Sequence, residues 1–326
     1  MGRLMVSVRS SSNERGGPFR RVAASCFALA LCCLGVSACS GLPGKDLQAL
    51  GSEVTPASVN FAQLATDARR AKAAYLNEAG IRAAYPNTVH VASPGGKDVQ
   101  YFIERDDKAR TQIVTVRGTA DKQNLKQDFN DRVREDRRIK IPVHSGFDDD
   151  ARAIYADATP FLKKGYATYM IGHSLGGAVV SLLGIYAIED GFEVKNITTF
   201  GEPRFTTADG AAQLSFLPLL RVVDEYDVIP LLPTSSSGKF GDYEQVGPEV
   251  ILLKGPYYVY LPAPVAREIS VGEFWRDLKL VNLQDHNMGA YEAAIAGKLS
   301  GAQQVPYNAR ERYAALHKTA QSLKSQ

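Results

Sequence analysis

The segment Gly172-His173-Ser174-Leu175-Gly176 sets one serine between two glycines, each two residues away. A serine in this pattern can be a nucleophile on a tight turn between a strand and a helix, because the glycines stand where a β-carbon would collide. Residues 169–171 are typical of a buried strand, and the small and apolar residues 175–180 begin a helix. We predict that Ser174 is a nucleophile; the alternative is a glycine-rich turn with an incidental serine.

A serine hydroxyl needs a base to remove its proton, and this base is a histidine held by an acid. In proteins with such a turn, the acid and then the histidine follow the serine in the chain. Two histidines follow Ser174, namely His286 and His317. His317 lies in a polar tail, where a solvated helix face explains it. His286 precedes a helical stretch from Tyr291, which places it in a loop, and we predict that it is the base.

Two aspartates could hold that histidine. Asp224 and Asp227 both follow the apolar run 219–223, at the end of a predicted strand. We prefer Asp227, because its loop is closed by the rigid Pro230, whereas Asp224 could simply end the strand. Asp285, next to the histidine, is expected to be exposed.

The elements that would position these residues alternate along the chain. Runs rich in β-branched and apolar residues predict strands over residues 112–116, 168–171, 197–200 and 219–223. Helical periodicity predicts one helix from Phe61 to Gly80 and another over residues 175–189, and residues 250–253 and 257–260 predict an antiparallel pair. This order predicts an α/β fold with a mainly parallel central sheet and helices on both faces.

The charge distribution argues against one class of partner. The 326 residues carry a net charge of +3, but five arginines and one glutamate lie in residues 1–38. The remaining 33 basic and 34 acidic residues give a net charge of −1. Such a protein has no bulk electrostatic attraction to nucleic acid, and we expect an uncharged or weakly charged substrate.

The amino-terminal residues have the pattern of a secretion signal. A basic run ends at Arg21, and the apolar stretch 22–38 follows it. Val36-Ser37-Ala38-Cys39 resembles the lipobox of bacterial lipoproteins, which implies cleavage of residues 1–38 as a signal peptide and lipidation of Cys39. The alternative is an uncleaved membrane helix, for which this stretch is at the short limit. The resemblance implies a protein anchored in the bacterial cell envelope, and Ser40 in place of aspartate implies the outer membrane.

We divide the rest of the chain into a polar tether over residues 39–58, one catalytic domain over residues 59–310 and a polar tail over residues 311–326. All four cysteines lie within the first 39 residues, so the domain can hold neither a disulfide nor a thiolate metal site. The few histidines lack ligand spacing, and we expect no metal and no cofactor.

Several ordered motifs resemble the class 3, or fungal-type, lipase family over most of residues 61–295. They are Val116-Arg117-Gly118-Thr119, Val143-His144-Ser145-Gly146-Phe147, Gly172 to Gly177, Phe200-Gly201-Glu202-Pro203-Arg204, Asp227-Val228-Ile229-Pro230 and Asp285-His286 with Tyr291. The resemblance implies the α/β-hydrolase fold and hydrolysis of carboxylic esters through an acyl-enzyme, with Ser174, Asp227 and His286 as the catalytic triad.

The same resemblance implies an oxyanion hole made by the backbone N–H groups of Thr119 and Leu175. Donors fixed at a strand end and at a helix N-terminus can meet the tetrahedral oxyanion without reorganising. The alternative for Thr119 is a plain turn residue after a strand.

The sequence departs from the family pattern after Thr119. Residues 120–129, where family lipases carry a lid, are mostly polar, with Leu125 where tryptophan is common. This weakens the case for attack on an oil surface and leaves lipase and esterase open. The apolar residues Phe274, Trp275, Leu278 and Leu280 fit an acyl pocket or plain core.

Three further functions use the same features. A phospholipase or an acyltransferase would share the triad and differ in substrate or acceptor. A noncatalytic envelope lipoprotein could use a hydrolase fold for binding, because a fold alone does not fix function.

Overall fold

The computed structural model describes residues 52, 54–55, 57–94, 99–119, 133–233, 242–269 and 285–313. Several sequence predictions fall outside these described residues: the signal peptide with Cys39, most of the tether, the polar segment 120–129, the apolar residues 274–280 and His317. No helix in the described part of the chain is both long and apolar enough to span a bilayer.

The described strands form two sheets. In chain order they are β1 (Thr88–Ala92), β2 (Tyr101–Asp106), β3 (Thr111–Val116), β4 (Val133–Glu135), β5 (Pro142–His144), β6 (Ala167–His173), β7 (Glu193–Phe200), β8 (Thr206–Thr207), β9 (Leu219–Asp224), β10 (Tyr243–Glu244), β11 (Glu249–Leu252), β12 (Tyr257–Leu261) and β13 (Gln303–Gln304). The α-helices are α1 (Phe61–Ala73), α2 (Glu78–Ala84), α3 (Ser145–Ala158), α4 (Leu175–Glu189), α5 (Ala208–Gln213) and α6 (Met288–Ala296).

The larger sheet has the order β1-β2-β3-β6-β7-β9-β11-β12-β13. Its centre, from β3 through β6, β7 and β9 to β11, is entirely parallel. Strands β1 and β2 extend one side as antiparallel neighbours, and β12 pairs antiparallel with β11 as the sequence predicts. The mostly parallel central sheet is thereby confirmed, and its carboxyl ends meet at one edge, where α/β sheets bind ligands.

Helices cover both faces of this sheet, as predicted. On one face α3 and α4 pack over alternate strand residues such as Val114, Met170 and Ile197. On the other face α1 and α6 pack over the intervening residues, among them Ile171 and Phe200. Helix α4 is buried along almost its whole length, which rigidly supports the turn that precedes it.

The first helix is shorter than predicted. It ends at Ala73, and a separate helix, α2, starts after Asn77. The Asn77 side chain accepts a hydrogen bond from the Gly80 N–H at 2.9 Å, so Asn77 is the N-cap of a new helix. The break matters because it leaves Tyr75 in the turn between the helices rather than on a helix face.

The smaller sheet has the order β10-β8-β5-β4 and is antiparallel. His144 at the end of β5 accepts a hydrogen bond from the Phe147 N–H and stacks on the Phe147 ring, so it serves as the N-cap of α3. Burial lowers the pKa of His144 to about 4, which keeps this cap neutral.

Candidate active site

Ser174 lies between the last residue of β6 and the first residue of α4. Its φ is 57° and its ψ is −134°, a conformation that is strained for a residue with a side chain. Two backbone hydrogen bonds fix it, from Ser174 N to Phe200 O at 2.9 Å and from Gly177 N to Ser174 O at 2.8 Å. The chain therefore turns sharply here, as a nucleophile elbow requires.

The two glycines of the motif are required by space. A β-carbon on Gly172 would lie 2.2 Å from the carbonyl oxygen of Gly176, and one on Gly176 would lie 2.5 Å from the carbonyl oxygen of Val116. Both contacts are with backbone, which cannot move aside. The absence of a side chain at residue 172 lets the turn close, and its absence at residue 176 lets the elbow pack against the end of β3.

His286 connects Ser174 to Asp227. Its Nε2 lies 2.7 Å from Ser174 Oγ, and its Nδ1 lies 2.7 Å from Asp227 Oδ2. The three residues are separated by more than 50 positions in sequence, and all three are buried. Asp227 follows β9, and His286 precedes α6, whose N-cap is Asn287. An imidazole held in this way can take the serine proton and return it to a leaving group.

Asp227 has two further hydrogen-bond donors. Tyr291 Oη donates to its Oδ2 at 2.6 Å, and the Ile229 N–H donates to its Oδ1 at 2.9 Å. Burial by itself would raise the pKa of Asp227, but the neighbouring His286 together with these donors holds the pKa below its usual value. The carboxylate therefore stays ionised and holds His286 with Nε2 facing the serine.

Asp224, the alternative acid, has a different environment. Its Oδ1 accepts a hydrogen bond from the Tyr226 N–H, and its backbone N–H donates to Tyr291 Oη. Burial is the main cause that raises the pKa of Asp224 to about 6. Asp285 is half-buried and lines a cavity of about 380 Å³ beside Asp224. The structure thus brings Asp227, and not Asp224, onto His286.

Sequence reasoning did not identify the contact between Tyr291 and the acid. Tyr291 lies in the first turns of α6 and is fully buried. It is five residues after His286, so one short loop and helix carry both side-chain partners of Asp227. The spacing was visible in the sequence, but the direction of the tyrosine was not.

The two expected oxyanion donors, Thr119 and Leu175, lie in the turn after β3 and at the start of α4. Leu175 opens α4, so its N–H is one of the four that have no partner within the helix. Thr119 follows Gly118, and a β-carbon on Gly118 would lie 2.7 Å from the Ser174 β-carbon. The turn after β3 is therefore packed directly against the elbow, where a tetrahedral oxyanion would form.

Within the described residues there is no group of three or more histidine, aspartate or glutamate side chains that could hold a metal ion.

The chain is similar to known lipases over part of its length. Residues 113–237 match the family model of class 3 lipases. The lipase of Rhizopus niveus is 29% identical over 154 residues, which are 43% of this chain and 39% of that protein. The secreted mono- and diacylglycerol lipase 1 of Fusarium solani is 29% identical over 170 residues, 48% of each chain. The chain thus spans less than half the length of these relatives.

Solved structures show the same fold. The Lip2 lipase of Yarrowia lipolytica superposes with a TM-score of 0.56 and 18% identity, covering 70% of this chain and 94% of that chain. Residues 113–237 therefore match the class 3 lipase family, and the chain around them has the α/β-hydrolase fold of the solved fungal lipases.

Proposed function

We propose that this chain is a serine carboxylic-ester hydrolase of the class 3 lipase type that forms an acyl-enzyme on Ser174. The observation that carries the proposal is the continuous hydrogen-bonded chain from Ser174 Oγ through His286 to Asp227, with both distances at 2.7 Å. The family match of residues 113–237 supports it, because that segment includes Ser174 and Asp227.

In the first half-reaction His286 Nε2 takes the Ser174 proton as Oγ attacks the ester carbonyl. The N–H groups of Thr119 and Leu175 hold the oxyanion. His286 then gives the proton to the leaving alcohol, and the C–O bond breaks to leave the acyl group on Ser174. In the second half-reaction water attacks with the same proton transfers and releases the carboxylic acid.

Asp227 acts in both half-reactions by staying ionised. It stabilises the imidazolium that forms at each proton transfer and keeps Nε2 directed at the serine. The lowered pKa of Asp227 supports this role, because a protonated acid would no longer stabilise that charge.

The substrates we propose are acylglycerols or other lipid esters. The relative from Fusarium solani is described as a mono- and diacylglycerol lipase, and the near-neutral charge of the chain after residue 38 suits an uncharged substrate. The polar residues 120–129 are the reason to keep esterase beside lipase. A panel of esters of increasing chain length, assayed below and above the solubility limit, would separate the two; a rate jump above the limit would favour a lipase.

We further propose that the protein is anchored in the outer membrane of a bacterial cell envelope through a lipid on Cys39. Support comes from the lipobox-like Val36-Ser37-Ala38-Cys39 alone. Metabolic labelling with an alkyne fatty acid should mark the wild type and not Cys39→Ser. Equal labelling of both would overturn the anchor without touching the hydrolase.

The test of the activity is turnover of short p-nitrophenyl esters by the wild type and by Ser174→Ala. We expect turnover to be abolished in the variant while its circular dichroism and melting temperature match the wild type. Ser181→Ala is the matched control, since Ser181 is also a buried serine but hydrogen-bonds to Glu202. Equal turnover by wild type and Ser174→Ala would overturn the proposal, and absence of turnover in both would favour a noncatalytic role.

A further inference from the structure

The residue before the nucleophile, His173, forms two hydrogen bonds in which the donor and the acceptor are determined by the partner atoms. Its Nε2 lies 2.9 Å from the backbone carbonyl oxygen of His286. A carbonyl oxygen can only accept, so Nε2 carries a proton. Burial lowers the pKa of His173 to about 3, so the ring is neutral at neutral pH. Nδ1 therefore carries no proton and acts as a hydrogen-bond acceptor.

Tyr75 supplies the donor. Its Oη lies 2.6 Å from His173 Nδ1, so the tyrosine proton points at the histidine. The same oxygen accepts the N–H of Gly118 at 3.1 Å. The hydrogen bonds therefore run without conflict from Gly118 through Tyr75 to His173, and from His173 to the backbone of the base, His286.

The backbone of Tyr75 is itself held in place. The side-chain amide of Gln100 donates to the carbonyl oxygens on both sides of Tyr75, Ala74 O at 2.8 Å and Leu76 O at 2.7 Å. The backbone carbonyl oxygen of Gln100 accepts a hydrogen bond from the backbone N–H of Arg117 at 2.8 Å. Gln100 thus connects the turn that carries Tyr75 to Arg117, the residue between the end of β3 and Gly118.

We propose that Tyr75 is a positioning residue for the oxyanion hole, acting through a brace of Gly118, Tyr75 and His173. Gly118 immediately precedes Thr119, one of the two proposed oxyanion donors. By fixing Gly118 against the elbow, the Tyr75 hydroxyl sets the distance between the Thr119 and Leu175 N–H groups. This inference rests on the proposed function and assigns a role to a residue outside the triad.

The test is Tyr75→Phe, which removes a single oxygen and leaves the ring. Tyr166→Phe is the matched control, because it likewise removes one tyrosine hydroxyl, whose hydrogen bond to Asp107 is exposed to solvent. We expect Tyr75→Phe to lower kcat about tenfold, less than loss of a whole oxyanion donor, with KM within about twofold of the wild type. Binding of a boronic acid, whose tetrahedral adduct on Ser174 carries the oxyanion, should weaken by the same factor as kcat.

Gln100→Met gives a second, independent variant, since it removes both amide donors behind Tyr75 and keeps the backbone carbonyl. It should lower kcat and boronic acid affinity in the same direction as Tyr75→Phe. Unchanged kcat in Tyr75→Phe would overturn the brace, and so would a lower kcat with unchanged boronic acid affinity. Wild-type turnover in the same assay separates the two proposals, because its absence would count against the hydrolase and not against the brace.

Discussion

The α-carbon of Gly201 faces the carboxylate of Asp227, and a β-carbon built there would lie 2.7 Å from Oδ2 and 3.0 Å from Nδ1 of His286. Gly201 has a φ of +61°, and its N–H donates to Val222 O at 3.0 Å, so the backbone is fixed in this position. The hydrogen bond between the acid and the base therefore lies so close to the Gly201 backbone that only a glycine leaves room for both partners.

Gly201→Ala should consequently lose most of its activity. Its β-carbon must displace Asp227 or His286, and a displacement of about 1 Å in such a site can cost about a hundredfold in rate. Gly191→Ala is the matched control, since Gly191 has a φ of +77° but open space around its α-carbon. Both variants should lose stability from backbone strain, and only Gly201→Ala should lose kcat. Full activity in Gly201→Ala would contradict the geometry described above.

The choice between the two aspartates is tested by Asp227→Asn and Asp224→Asn. An asparagine at residue 227 no longer stabilises the imidazolium and can hold His286 in the wrong tautomer, so kcat should fall about 10⁴-fold. Asp224→Asn replaces a carboxyl group that does not hydrogen-bond to His286, and we expect kcat to change less than tenfold. Steady-state kinetics on a soluble ester distinguishes them, and the reverse ranking would assign the acid to Asp224.

The strain at Ser174 predicts an unusual order of stabilities. Glycine is normally less favourable than alanine, but a φ of 57° with a ψ of −134° is a conformation that glycine adopts freely. The free energy of unfolding of Ser174→Gly should therefore be about 1 kcal/mol larger than that of Ser174→Ala. Urea denaturation of the two inactive variants measures the difference. A glycine variant less stable than the alanine variant would show that the elbow is unstrained.

Two carboxyl groups beside the acid loop should make the protein less stable as the pH rises. Burial, together with the adjacent Asp224, raises the pKa of Glu225 to about 7, and burial raises that of Asp224 to about 6. Between pH 5 and pH 8 the folded protein thus keeps protons that the unfolded chain has lost, so the free energy of unfolding falls across this range.

Glu225→Gln should flatten that dependence, because the amide has no proton to lose. The comparison is urea denaturation at pH 5 and at pH 8, with Glu193→Gln as a control for an exposed glutamate. The difference between the two pH values should shrink in Glu225→Gln and stay as in the wild type in Glu193→Gln. Equal pH dependence in all three proteins would show that Glu225 does not carry the effect.

The parts of the molecule that sequence predicted are those with strong local patterns. The elbow around Ser174 combines a strand, two glycines and a helix start within a dozen residues, and each part is readable alone. The parallel strands β6, β7 and β9 each contain a short run of buried, mostly β-branched or apolar residues, because helices cover both faces of the sheet. Such signals do not depend on distant residues.

What the sequence left open depends on contacts between distant residues. Asp224 and Asp227 look alike in sequence, and only the turn after β9 decides which one faces His286. The strands of the smaller sheet have two or three residues, too few for a periodic pattern, and β1 and β2 were also missed. The break after α1 was missed because Asn77 was not recognised as an N-cap. For the same reason the contact between Tyr75 and His173, 98 positions away in sequence, was missed.

The most direct measurement of the central claim is the mass of the Ser174 peptide after a rapid acid quench of the protein with a p-nitrophenyl ester. We predict a peptide heavier by one acyl group on Ser174, formed with a burst of p-nitrophenol and absent from His286→Gln. Turnover of the ester with the acyl group on another residue, or with none on Ser174, would contradict it.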